Sequence, residues 1–174
     1  FAVAAKWLGR GLNPYRMCAR GILIGIAAFS AVVFAAPMNS APLFFAGAGA
    51  IGLGGGLFSV ATLTAAMTMP ARGIAGRGLA LGAWGAAQAP AAGISIALGG
   101  GIRDLVNGLA MDGRLGEALA DPATGYSVVY HLEIAILFAT LIALGPLVRI
   151  AFQPQPNQET GGKLGLADFP ARHS

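Results

Sequence analysis

The chain has 174 residues, of which 10% are charged and 56% hydrophobic, with 27 glycines, a single cysteine and a net charge of +4. A soluble domain carries roughly 25% charged residues, and this chain has too few to cover a surface in water, so an ordinary soluble enzyme, a disulfide-rich secreted domain and a disordered tail are all excluded. The basic residues sit at the ends of apolar runs and form no patch beside aromatic stackers, which excludes nucleic acid as a partner and leaves an integral membrane protein.

The chain opens on Phe1, and no charged n-region and cleavage site precede an apolar h-region. The expectation is a segment of a longer protein without a signal peptide. Residues 1–16 read as a cytoplasmic loop or the end of a preceding helix. Four apolar runs of about 20 residues or more follow, each long enough to cross a bilayer as a helix. Span A covers 17–36 and stops before Pro37, with Arg20 near enough to its start to snorkel to the interface. Span B covers 43–69 and stops before Pro70. Span C covers 79–102 and span D covers 127–150. None alternates with period two, and open strands leave backbone groups unsatisfied in lipid, so the expected fold is all-α with four transmembrane helices.

The connections set the orientation. Lys6, Arg10, Arg16, Arg20, Arg72, Arg77, Arg149, Lys163 and Arg172 fall on one side, and only Arg103 and Arg114 on the other. By the positive-inside rule both ends of the segment lie in the cytoplasm, where the lone Cys18 meets a reducing compartment. The acidic loop after span C lies outside. Its stretch 104–120 is amphipathic, but Gly108, Gly113 and Gly116 argue against one long helix there. Residues 151–174 form a cytoplasmic tail.

Glycine is concentrated in spans B and C. Small residues let helix backbones approach in lipid, so Gly52, Gly56, Gly78, Gly82 and Gly85 are expected to pack B against C as inner helices. A and D, with Ile22, Leu23, Phe34, Ile136 and Phe138, are expected to face lipid. The run Gly54-Gly55-Gly56 reads either as close packing or as a kink.

Few polar residues enter the spans. Glu133 is the only acid well inside one, and a carboxylate there must face protein, water or a partner. It reads as a proton relay, a substrate ion pair or an interhelical hydrogen bond. His131 at the mouth of D can ligate a metal or bond a loop carbonyl. Gln88, near mid-depth in C, can bridge helices or hold a ligand, and Trp84 one turn earlier can pack or stack on a flat ring. Pro90 frees a carbonyl in C. No nucleophile elbow, zinc-protease motif, P-loop or paired-cysteine motif is present, so no enzyme activity and no resident metal are expected. Leu164, Leu166 and Phe169 stand out in the polar tail as a partner-docking segment or as part of a plain disordered end.

Residues 77–101 (RGLALGAWGAAQAPAAGISIALGGG), 125–146 (GYSVVYHLEIAILFATLIALGP) and 163–171 (KLGLADFPA) resemble the PucC family of light-harvesting-complex assembly and bacteriochlorophyll-delivery proteins, within the major facilitator superfamily. The resemblance covers the chain from Arg16 onward and matches helices 9–12 of that twelve-helix fold, N-in and C-in. It implies a multi-pass protein of the bacterial inner, intracytoplasmic membrane. The implied function is assembly of photosynthetic antenna, with bacteriochlorophyll as a transiently held cofactor and Gln88, Trp84 and His131 as candidate pigment contacts. Implied partners are membrane lipid, antenna polypeptides, pigment-synthesis enzymes and the missing N-terminal helices. The alternatives are a proton-coupled small-solute transporter using Glu133, and a non-transporting assembly scaffold.

Overall fold

A computed structural model describes residues 13–68 and 73–150. They form four α-helices: α1 (Pro14–Ala35), α2 (Ala41–Thr68), α3 (Gly73–Met111) and α4 (Thr124–Ile150). One 3₁₀ turn, Glu117–Leu119, lies before α4. Among the described residues there is no strand. The all-α membrane fold expected from composition is what the chain adopts.

Local chemistry sets the helix ends. Asn13 caps α1, its side-chain oxygen accepting from the Tyr15 amide at 2.9 Å, and Pro14 occupies the first turn, where a missing N–H costs nothing. At the other end Asn39 takes the left-handed conformation (φ 46°) that asparagine tolerates better than most residues. That turn lets the Met38 and Ser40 amides donate to the carbonyls of Phe34 and Ala35. Ser40 then precedes α2, its Oγ accepting from the Leu43 amide at 3.4 Å. After α3 the chain reverses through Gly113 (φ 71°) and Gly116 (φ 90°), a backbone that a side chain would strain.

Three helices, α1, α2 and α4 up to Arg149, are long and apolar enough to cross a membrane. The third helix is less apolar because Gly and Ala dominate it and it carries Trp84, Gln88 and Pro90. Its 39 residues span about 58 Å, nearly twice the ~30 Å hydrocarbon core. It is longer than one bilayer crossing requires, and Arg103 and Asp104 bring charge into its last third. The helix absorbs residues 73–78, expected in a loop, and 103–111.

The seam lies elsewhere than expected. The main interface joins α1 to α2, α4 packs on α1, and α3 leans on α4; α2 and α3 touch less than any of these pairs. At the α1–α2 crossing the backbones meet: a Cβ on Gly21 would lie 2.8 Å from the Gly54 carbonyl oxygen, and one on Gly47 would lie 2.7 Å from Val32 Cγ2. By contrast Gly52, Gly56, Gly78, Gly82 and Gly85 have nothing within 4 Å of such a Cβ. The expected B–C seam through these five glycines is therefore corrected for this chain. Helix α1, expected to face lipid, is the central element. Met17, Cys18, Ile22, Ala28 and Val32 are all buried, and only its outer edge, with Leu23 and Phe34, is exposed. The physical reason is that glycine count reports how closely a helix can be approached but not which neighbour approaches it. Two glycines one turn apart, Gly21 and Gly25, were enough to seat α2 and Leu137 of α4. Nor does Gly54-Gly55-Gly56 interrupt its helix, since α2 is continuous from Ala41 to Thr68.

Candidate functional site

The polar residues singled out in the spans fall into two separate places. On α3, Trp84 is half-buried and donates its indole N–H to Thr62 Oγ1 of α2 at 3.3 Å. Thr62 was not recognisable beforehand: a threonine in an apolar run usually bonds its own helix, and Thr62 also donates to the Ser59 carbonyl at 3.0 Å. Gln88, one turn further along the same face of α3, is exposed. Around them Gly78, Gly82 and Gly85 present bare backbone to open space. The result is a shallow strip with one fixed ring and one amide.

On α4, His131 is exposed, and its Nδ1 lies 2.7 Å from the Ser127 carbonyl oxygen one turn earlier. A carbonyl only accepts, so Nδ1 carries the proton, and in the neutral ring Nε2 keeps its lone pair. An imidazole fixed in this way is set up as a donor to a metal centre through Nε2. Glu133 lies on a different face. It is half-buried on the stripe of α4 that meets α1, where Tyr130 stacks against Phe29 (5.8 Å between rings) and Leu137 fills the notch at Gly25.

The register of α3 against α4 keeps the two places apart. Gly99 sits beside Val129, and a Cβ on Gly125 would come 2.5 Å from the Arg103 carbonyl oxygen. Extrapolated along the antiparallel pair, His131 lies level with about residue 97, roughly 14 Å along the axis from Gln88. Gln88 and His131 are therefore not brought to one point, whereas Trp84 and Gln88 are. Among the described residues no three His, Cys, Asp or Glu side chains gather in a way that could hold a metal ion. Leu164, Leu166 and Phe169 lie outside the described residues.

Two features had no forewarning. Arg103, at the exit of α3, pairs with Asp104, donates to Tyr126 Oη at 2.9 Å and lies over the Tyr126 ring (5.1 Å to its centre). The hydrogen bonds to Asp104 and Tyr126 push its guanidinium further up from an already high range, so it stays charged. Beside this cluster a cavity of about 930 Å³ opens between the end of α1, the 37–40 turn and the start of α4. Tyr126 and Tyr130, one turn apart in the GYSVVY stretch, were its only trace in the sequence.

Comparison with known proteins places these features in a family. The family model described as PUCC protein matches residues 1–152. The chain is 51% identical over 171 residues to the protein of the puhA-bchM intergenic region of Rhodobacter capsulatus (98% of this chain, 35% of the relative). It is 43% identical over 148 residues to protein PucC of Cereibacter sphaeroides (84% of this chain, 31% of the relative). It is 41% identical over 152 residues to protein PucC of Rhodobacter capsulatus (86% and 31%). The chain spans about a third of the length of these relatives. No solved structure matches it.

Proposed function

The chain belongs to the PUCC protein family, and from that premise we propose that it is part of a factor that assembles photosynthetic light-harvesting complexes. In this reading it binds bacteriochlorophyll within the bacterial inner membrane and hands it to antenna polypeptides. The family match over residues 1–152 is the observation that carries the reading. The reading extends to a twelve-helix major facilitator fold, of which α1–α4 are the last four helices, and to no enzymatic step.

The residues support it in physical terms. A chlorin is flat, apolar and poorly soluble in water, and its magnesium takes one axial donor. His131, with Nδ1 committed to the Ser127 carbonyl, offers such a donor through Nε2 at the mouth of α4. The bare glycine strip beside Trp84 and Gln88 accepts a flat ring edge without steric penalty. These are two places on one route and not one binding pocket, because the α3–α4 register separates them. The exposed apolar side chains of α4, Ile136, Phe138 and Ile142, form the surface offered to antenna helices. In the tail, Leu164, Leu166 and Phe169 are the proposed cytoplasmic docking segment.

The test is an absorption spectrum of the full-length protein, purified in mild detergent from a pigment-producing host after antenna complexes are removed. About one bacteriochlorophyll per protein supports delivery. A colourless protein that still carries antenna polypeptides assigns it to scaffolding. A colourless protein without them, together with proton-coupled uptake that Glu133→Gln abolishes, overturns the reading in favour of a solute transporter.

A further inference from the structure

The cavity at the loop end of the bundle belongs to neither place. Its floor is apolar, built from Val32, Val33 and Phe34 at the end of α1 and Phe44 of α2. Its far wall carries Tyr126 and Tyr130, and its rim carries Asn39, Ser40 and Asp121. At about 930 Å³ it is at the upper end of the range of small-molecule sites. The apolar runs of α1 and α4 end here, so it opens at the level of the lipid headgroups, where tyrosines collect.

Its charge is one-sided. Among the described residues Asp121 is the sole charged one lining it, and no described Lys, Arg or His does. The nearby Arg103 is taken up by Asp104 and Tyr126. Asp121 spends one oxygen on the Ala123 amide, which donates to Oδ1 at 2.6 Å, and its second oxygen takes no hydrogen bond among the described residues. An occupant must therefore combine an apolar body, to cover the α1 floor, with a positive group for the carboxylate and the tyrosine faces. A soluble amine lacks the first and an anionic lipid lacks the second.

We propose that this cavity is a binding site for a zwitterionic aminophospholipid, with its acyl chain against Val32, Val33 and Phe34 and its ammonium at Asp121. The site stands apart from the pigment reading and holds whether or not bacteriochlorophyll is bound elsewhere. In the membrane it ties the 37–40 turn to the start of α4 through a lipid.

The test uses the full-length protein in nanodiscs and native mass spectrometry, with phosphatidylethanolamine and phosphatidylglycerol of identical acyl chains as competing probes. The expected result is preferential retention of phosphatidylethanolamine. Asp121→Asn keeps an oxygen for the Ala123 amide and removes the charge; it should cut that preference about two- to fivefold, the yield of one exposed ion pair. Ser127→Trp projects a ring into the cavity and should abolish the retained lipid. Intact secondary structure and an unchanged monodisperse profile show that each variant has folded. Equal retention of the two lipids, a preference untouched by Asp121→Asn, lipid retained in Ser127→Trp, or pigment in place of lipid would each overturn the proposal.

Discussion

Gly21 and Gly54 meet backbone to backbone across α1 and α2, so that a Cβ on either would lie 2.8 Å from the other's carbonyl oxygen. No rotamer change relieves such a clash, because the obstacle is main chain. Val in place of Gly54 is therefore expected to force the helices apart and lower stability by about 1–3 kcal/mol. Leu53→Val, at an exposed neighbour on the same helix, is the control and should change stability by less than about 0.5 kcal/mol. Thermal unfolding of the two variants in the same detergent checks this. Equal melting temperatures would show that the α1–α2 crossing is looser than described.

Gly125 makes the same demand on the α3–α4 pair. A Cβ there would lie 2.5 Å from the Arg103 carbonyl oxygen and 3.1 Å from Asn107 Cβ. Gly125→Ala should cost about 1–3 kcal/mol. Arg103→Ala removes only exposed contacts to Asp104 and Tyr126 and should cost less than about 1 kcal/mol. The ranking of the two variants in a denaturation series is the measurement. Arg103→Ala proving the more damaging would move the anchor of α4 from the backbone contact to the charged cluster.

What was legible in the sequence follows from the physics of lipid. Charge scarcity and apolar run length reveal helices crossing a membrane, because no other backbone is stable there. Pro37 likewise marks the end of α1 to within two residues, whereas its start, Pro14 behind the Asn13 cap, lies three residues before the expected Met17. Neighbour choice was not legible. In water an apolar stripe names the buried face, but in a membrane both faces of a helix are apolar, and Gly21 and Gly25 look no different from Gly52 and Gly56. Only the helix crossing distinguishes them. The third helix runs longer than its apolar stretch for a related reason: residues 73–78 carry arginine and glycine, which read as a loop, yet Arg has good helix propensity and no proline interrupts them. Of the candidate site, the side chains were legible and their grouping was not. Trp84 and Gln88 share a face by simple periodicity, but the partner Thr62 and the distance to His131 depend on register between helices.

The Trp84–Thr62 bond is the specific link between α2 and α3, whose contact is otherwise thin. Thr62→Val keeps the shape and removes the acceptor, and Trp84→Phe removes the donor. A double-mutant cycle should give a coupling of about 0.6 kcal/mol, the usual worth of an interhelical hydrogen bond in a membrane. Indole emission should shift in Thr62→Val, because the N–H of Trp84 loses its partner. A coupling near zero together with an unmoved spectrum would mean that the two side chains do not meet.

The separation of Gln88 from His131 makes the pigment reading discriminating. One magnesium takes its axial donor from one of them, since they lie roughly 14 Å apart along the bundle. His131 is the better donor, because the Ser127 carbonyl holds its ring and its tautomer, whereas Gln88 is an exposed amide. His131→Leu should therefore reduce pigment retained by the full-length protein by more than about tenfold, while Gln88→Leu leaves retention within twofold or so of the parent. The position of the bacteriochlorophyll absorption band reports the axial ligand directly and should move only in the His131 variant. Loss in Gln88→Leu with retention in His131→Leu would transfer the ligand to the glycine strip of α3. Loss in both would require the two helices to come together in a conformation other than this one.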